Sequence, residues 1–304
     1  MRRLPRDIPR EIERLTAAFA AILLTLGGFA ASAEEADPVA RGAYLAAAAG
    51  CDQCHTDAKN GGRAYAGGRA LDTPFGTIIT PNITPDRETG IGLWRSADFE
   101  RALRWGNAPD GSHYLPAFPF PFYNRLTHDD LVDLKAFLDS LPAVSQANTP
   151  GWPSALSMAR ARAAITIVAE CLTGPWQPET AKDKDWNRGA YLAATVGRCG
   201  DCHTPRNWLG ASEQGRQLAG TSAGPGGKAV PNITPDLETG IGRWSKDDIT
   251  ALLKDGQTPD FDFVGGAMTE IVKNTTRLTD ADRNAIGIYL RSLPAIHSES
   301  KADH

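Results

Sequence analysis

The sequence has no block of basic residues. Its Lys and Arg are scattered along a chain of formal charge −4, which excludes the electrostatic footprint of a nucleic-acid binder. It has no Ser–His–Asp set, no phosphate-binding loop and no Rossmann fingerprint, so the common catalytic signatures are missing. No period-two strands are evident, which argues against a fold built on sheets. Sulfur is scarce too, with three methionines and five cysteines in 304 residues. In such a chain the placement of each sulfur carries information.

Long apolar runs are confined to the start. The stretch Leu15 to Ala30 follows arginines at 2, 3, 6, 10 and 14 and ends in the small-residue exit Ala31-Ser32-Ala33, the pattern of a secretory signal peptide. The expectation is a signal peptide over 1–33, cleaved after Ala33. Retention as a membrane anchor is the alternative, for which the run is short. Cleavage removes five arginines and three acids and takes the charge from −4 to −6. The mature chain is then expected to be exported and soluble, in the periplasm.

The remainder repeats itself. "RGAYLAAAAG" (41–50) returns as "RGAYLAATVG" (188–197), "PNITPDRETGIGLW" (81–94) as "PNITPDLETGIGRW" (231–244), and "LTHDDLVDLKAFLDSLPAV" (126–144) as "LTDADRNAIGIYLRSLPAI" (278–296). The offset drifts from 147 to 152 residues, as in a duplicated domain with small insertions. The expected organisation is a first domain over 34–144, a Pro-rich linker over 145–187 and a second domain over 188–304.

Each copy predicts a short Ala-rich helix, a long Gly-, Pro- and Asn-rich stretch, a middle helix starting near Ser96 or Ser245, and a closing helix. Thr127 and Thr279 precede acidic first turns and so cap the closing helices, and Pro142 and Pro294 follow their ends. Leu131, Leu134 and Leu138, and in the other copy Ile286, Tyr289 and Leu290, fall at helical spacing and predict a buried stripe. Units this small, helical and loop-rich have a thin core unless something else fills it.

Four of the five cysteines lie in "CDQCH" (51–55) and "CGDCH" (199–203). Paired cysteines followed at once by histidine suit thioether attachment of haem, with the imidazole as the proximal iron ligand. A structural zinc site would leave each pair without its other two ligands. A thioredoxin-like redox pair needs an α/β context, and plain disulfides leave the histidines unexplained. The expectation is two covalently attached haem c groups, on Cys51 and Cys54 with His55 and on Cys199 and Cys202 with His203. The porphyrins would also complete the thin cores.

The sixth ligands are less symmetric. Met268, in the Gly-rich "FVGGAMTEIVKNTTRLT", is the candidate distal ligand of the second unit. The matching "GSHYLPAFPFPFYNRLT" has no methionine, and Phe118 or Leu115 stands near its place. His113, His128 and Met158 are candidates for the first haem, and an open position is the alternative. Cys171, the leftover thiol, reads as a buried helix residue. Pro74 and Pro225 fall where a backbone carbonyl would hold the proximal Nδ1–H. Asn82, Asn232, Trp94 and Trp244 are candidates for donors to haem propionates, with turn and packing roles as the alternative. Asp86, Glu88, Asp236 and Glu238 sit in turn-like stretches and read as solvated loops.

Taken together, the "RGAYL" lead-ins, the paired "PNITPDxETGIGxW" segments, "DGSHYLPAFPFPFY" and "FVGGAMTEIVKNTTRLT" make the chain resemble the multi-haem class I cytochromes c that serve bacterial dehydrogenases, such as those for alcohol and gluconate. The resemblance spans essentially all of the chain after the signal peptide. It implies a mostly α fold of two tandem class I cytochrome c domains with long irregular haem-wrapping loops. It also implies that His55 and His203 are proximal ligands and Met268 a distal one. Electrons would pass from a periplasmic or membrane-bound dehydrogenase to another cytochrome, a quinone or a terminal oxidase. The chain departs from the membrane-bound subunits in having two attachment sites where they carry three, a polar end, "HSESKADH", and no first-unit methionine. The expectation is a soluble two-haem electron carrier without catalysis of its own. The alternative is a di-haem enzyme of peroxidase or thiosulfate-oxidising type with the first haem reactive.

Overall fold

The computed structural model describes residues 37–73, 76–114, 117–149, 173–207 and 212–299. The expected signal segment, most of the expected linker, Met158, Cys171 and Pro74 lie outside the described residues. The chain is mostly helical with little sheet.

In the first repeat, α1 (Pro38–Ala49) leads into the one-turn α2 (Cys51–Cys54), followed by α3 (Ser96–Trp105), α4 (Phe120–Tyr123) and α5 (His128–Ser140). In the second, α6 (Lys184–Tyr191) leads to α7 (Cys199–His203), then α8 (Lys246–Asp255), α9 (Ala267–Thr275) and α10 (Asp280–Arg291). The caps act as their sequence predicts. Thr127 Oγ1 accepts from the Asp130 N–H at 3.2 Å, Thr279 Oγ1 from Asp282 at 3.1 Å and Ser245 Oγ from Asp248 at 3.1 Å. Each satisfies an N–H that the first turn leaves without a helical partner.

A small hairpin departs from the expectation of no strands. β1 (Ala70–Thr73) pairs antiparallel with β2 (Gly76–Ile79), with Leu71 opposite Ile78. Four residues among Gly, Pro and Thr are too short an alternation to stand out. At the corresponding place the second repeat has only the single bridge Thr221 to Val230.

One continuous apolar core serves both repeats. Leu131, Leu134 and Leu138 of α5 and Ile286 and Leu290 of α10 are buried in it, with Tyr289 partly buried against it, so the predicted stripes face inward. Close helix crossings set the geometry. A Cβ on Gly42 would stand 1.9 Å from the Asp133 carbonyl oxygen, and one on Gly189 would stand 1.9 Å from that of Ala285. Only glycine lets α1 touch α5, and α6 touch α10, backbone to backbone. Arg41 on Asp133 at 2.6 Å and Arg188 on Asp282 at 2.7 Å clamp the same two crossings.

The repeated "PNITPD" turns are tied down alike. Asn82 Oδ1 accepts from the Thr84 N–H at 2.9 Å while its Nδ2 donates to the Val144 carbonyl at 2.7 Å. Asn232 does the same with Thr234 at 2.9 Å and the Ile296 carbonyl at 2.8 Å. Each asparagine fastens its turn to the chain leaving the closing helix. Asp86 and Asp236 brace the next turns by accepting from Thr89 and Thr239, both at 2.7 Å. Asp86 and Asp236 thus brace their turns, where the sequence reads them as solvated loop residues.

Candidate functional site

Both Cys-x-x-Cys-His motifs form a single helical turn, which puts the first and second cysteine of each pair at i and i+3 on one face. All four thiols are free. Burial pushes the Cys51 thiol up to about 12, and those of Cys199 and Cys202 up to about 11. Cys51, Cys199 and Cys202 are therefore neutral, and all four sulfurs are partly enclosed.

The two histidines are fixed by one arrangement used twice. The His55 carbonyl accepts from the Gly67 N–H at 2.8 Å, and its ring Nδ1 lies 2.8 Å from the Pro81 carbonyl oxygen. The His203 carbonyl accepts from Gly220 at 2.7 Å, and its Nδ1 lies 2.8 Å from the Pro231 carbonyl. A carbonyl can only accept, so the proton sits on Nδ1 and the lone pair on Nε2, the tautomer that an iron ligand needs. Burial holds the His55 imidazole below its ordinary range, which keeps it neutral. Gly67 and Gly220 take left-handed φ values of 72° and 75°, and a Cβ there would strike the Pro81 or Pro231 backbone at 2.4 or 2.7 Å.

The carbonyl partners differ from those the sequence pointed to. Pro225 begins a short turn elsewhere in the loop, and Pro231, the first residue of "PNITPD", holds the ring. Pro81 does so in the first repeat, where Pro74 had been expected. The signal was the duplicated "PN" itself, whose asparagine ties the turn so that the carbonyl before it is held still.

Met268 is the second residue of α9, partly buried, separated from Gly265 and Gly266 by Ala267 alone. The sequence places it in a loop; the structure ends that loop at Gly266, the residue that caps the helix. Bridges Asn107 to His113 and Gln257 to Phe263 align the two units here and put Phe118 where the second has Met268. The Phe118 ring packs edge-on against Tyr114 at 5.6 Å and at 60° to Tyr123 at 5.9 Å. His113 is exposed, and His128, 69% exposed, starts α5 with Nδ1 3.5 Å from Glu100.

Sequence reasoning missed Arg198. "RGAYL" repeats at an offset of 147, but the first cysteines at 148, so the second copy carries one extra residue before its pair. The structure absorbs it in a π turn at Leu192–Val196, closed by the Gly197 N–H on the Leu192 carbonyl at 2.7 Å. Arg198 consequently takes the left-handed position that Gly50 holds in the first copy, at φ 54° against 69°. For a residue with a side chain that costs on the order of 1–3 kcal/mol. Its guanidinium lies 5.5 Å from the Tyr123 ring of the first repeat and 3.4 Å from Asp201.

The donor set matches haem c twice over. Two free, partly enclosed thiols on one helical turn stand beside an imidazole whose tautomer is already set, and both repeats build this identically. No protein-family model matches the chain. Curated proteins do. A diheme cytochrome c-type of Cereibacter sphaeroides is 42% identical over 261 residues, covering 84% of this chain and 86% of the relative. The fructose dehydrogenase cytochrome subunit of Gluconobacter japonicus is 38% identical over 300 residues, 94% of this chain and 60% of that subunit. The gluconate 2-dehydrogenase cytochrome c subunit of Pantoea cypripedii is 38% identical over 289 residues, 91% and 64% respectively. The chain thus spans less than two thirds of the two dehydrogenase subunits.

Proposed function

We propose a function from one premise: the chain belongs to the family of c-type cytochromes that includes a diheme cytochrome c and the cytochrome subunits of dehydrogenases. Its role is electron transfer, and we read it as a di-haem carrier of two tandem cytochrome c units, exported to the periplasm. It takes electrons from a dehydrogenase and passes them to another cytochrome, a quinone or a terminal oxidase. The supporting observation is the proximal histidine arrangement, the same in both repeats down to the 2.8 Å contacts of Nδ1 with Pro81 and Pro231.

Cys51 and Cys54, and Cys199 and Cys202, would hold the two groups as thioethers, with His55 and His203 on the metal side and Met268 as the second distal ligand. Bound there, haem c supplies a one-electron ferric/ferrous couple. The chain's own part is to orient and to exclude water. Pro81 and Pro231 keep each ring's proton on Nδ1 and stop the ring from rotating, so little rearrangement accompanies a change of charge.

Mass spectrometry of exported, maturase-competent protein, with a pyridine haemochrome assay, tests this. The expected result is two haem adducts on a chain lacking residues 1–33, recovered in the periplasmic fraction. A chain without added haem mass would overturn the reading.

One observation favours a second reading. Phe118 stands where the second unit has Met268, so this loop offers the first haem no sulfur ligand, as expected of a di-haem peroxidase or thiosulfate-oxidising enzyme with a reactive first haem. A high-spin haem that binds cyanide supports that reading, and two low-spin haems reject it.

A further inference from the structure

We propose that Gln53, between the two cysteines of the first motif, is a positioning residue for Met268 of the second repeat: its side chain seats the helix that carries the thioether. This rests on the reading of Met268 as a distal haem ligand.

The start of α9 is weakly fastened. A Cβ built on Gly265 or Gly266 would meet nothing within 4 Å, and Gly266 caps the helix without a side-chain hydrogen bond. The far end is secured within its own repeat, by Thr275 Oγ1 on the Leu253 carbonyl at 2.5 Å and by Thr276 on the Lys254 carbonyl. Beside Met268 the same repeat supplies Thr269 Oγ1 on the Val264 carbonyl at 3.2 Å, a bond only to the loop that leads into the helix. The brace from outside is Gln53. Its Nε2 donates to the Glu270 carbonyl at 2.6 Å and its Oε1 accepts from Asn274 Nδ2 at 3.1 Å, so one amide spans a full turn of α9. Met268, two residues before Glu270, falls on roughly the opposite side of the helix. Gln53 therefore supports α9 from the side away from the sulfur.

Gln53 itself projects from a fixed backbone: its N–H donates to the Gly50 carbonyl at 3.1 Å and its carbonyl accepts from Arg69. Gly50 takes φ 69°, and a Cβ there would stand 2.3 Å from Asn274 Nδ2, so this left-handed glycine also clears the space that Asn274 fills. The equivalent residues of the other copy act differently. Asp201, the counterpart of Gln53, pairs with Arg198 at 3.4 Å and Arg206 at 2.6 Å in its own repeat. Asn124, which precedes Asn274 by the same 150 residues that separate Phe118 from Met268, donates to the Arg104 carbonyl of its own repeat at 3.0 Å. The amide brace thus crosses between repeats in the direction that supports the methionine. A ligand on a short helix binds more tightly when that helix is already ordered, because the ordering is then not drawn from the binding energy.

The test titrates the haem-loaded ferric protein with free imidazole, which competes with methionine for iron. The readout is the weak red sulfur-to-iron charge-transfer band, restricted to the part that Met268→Ala abolishes. Gln53→Ala is expected to let imidazole remove that band at a concentration lower by roughly fivefold to tenfold, as the loss of hydrogen bonds of modest net strength implies. Tyr44→Phe, which removes a bond between the repeats at α10, is expected to leave that concentration unchanged. No change in Gln53→Ala, or an equal drop in Tyr44→Phe, overturns the inference. If Gln53→Ala does not take up haem, Asn274→Ala decides: it removes the brace from the helix side and should shift the titration in the same direction, and no shift overturns the inference. A band that survives Met268→Ala would instead remove Met268 from the ligand set and sink the reading on which the inference rests.

Discussion

The Tyr44 hydroxyl donates a 2.6 Å hydrogen bond to the Asp282 carboxylate, reaching from the first repeat to the opening turn of α10 in the second. The same hydroxyl accepts from the Thr279 N–H at 3.0 Å. Tyr191 returns the contact, bonding Asp130 and accepting from the Thr127 N–H at 3.3 Å. Each repeat's "RGAYL" tyrosine thus completes the cap of the other repeat's closing helix. Arg277 on Asp52 at 2.8 Å and Gln53 on the Glu270 carbonyl at 2.6 Å add to the same junction beside the first Cys-x-x-Cys-His turn.

Tyr44→Phe is expected to destabilise the haem-loaded protein by about 1–2 kcal/mol, since a largely buried carboxylate loses one donor but keeps Arg188. Tyr191→Phe should cost a similar amount. Denaturant unfolding of the two single variants and the double variant checks this. If the repeats unfold together, one transition persists in all three.

Acid should weaken the same junction. Burial alone would raise the Asp282 carboxyl, but Arg188 and Tyr44 outweigh it and hold the group below its ordinary range. A carboxylate depressed in the folded state stabilises fully above its unfolded value of about 3.9, and that contribution is lost as pH falls through the folded value. Asp282→Asn should therefore narrow the stability difference between pH 7 and pH 3. An unchanged pH profile would show that Asp282 plays no part in the linkage.

Gly42→Ala and Gly189→Ala place a methyl group 1.9 Å from a facing carbonyl oxygen. The helices must separate, at a cost of about 1–3 kcal/mol or more. Because each crossing positions its own Cys pair, lower melting temperature and reduced haem content at the altered repeat are expected together. Gly215, with open space around it, is the control, and Gly215→Ala should change neither.

Met268→Ala should lower one of the two reduction potentials and leave the other near its original value, because a thioether ligand favours ferrous iron. Phe118→Met is the converse experiment and should raise the other. Potentiometric titration followed by visible spectra reads both. No movement in Met268→Ala would remove this residue from the ligand set.

Much of the site was legible before the structure because its chemistry is local. Cys51, Cys54 and His55 are neighbours in the chain, as are Cys199, Cys202 and His203, and one helical turn suffices to set their relation. The caps at Thr127 and Thr279 were readable for the same reason. The carbonyls that hold the histidines lie 26 and 28 residues away, so composition could suggest a proline but not which one. Arg198 left a trace, a one-residue change of offset, whose meaning depended on how a helix would absorb it.

By itself the sequence determined the duplication, the two Cys-x-x-Cys-His motifs, the inward stripes of the closing helices and the asymmetry between Met268 and Phe118, since each follows from spacing along the chain. Only the tertiary structure decided that Tyr44 and Tyr191 cap each other's repeats, that Pro81 and Pro231 orient the imidazoles, and that Arg198 reaches Tyr123 of the other repeat. Those contacts join segments far apart in sequence, and their geometry is set by the close glycine crossings and shared core that pack two helical units into one.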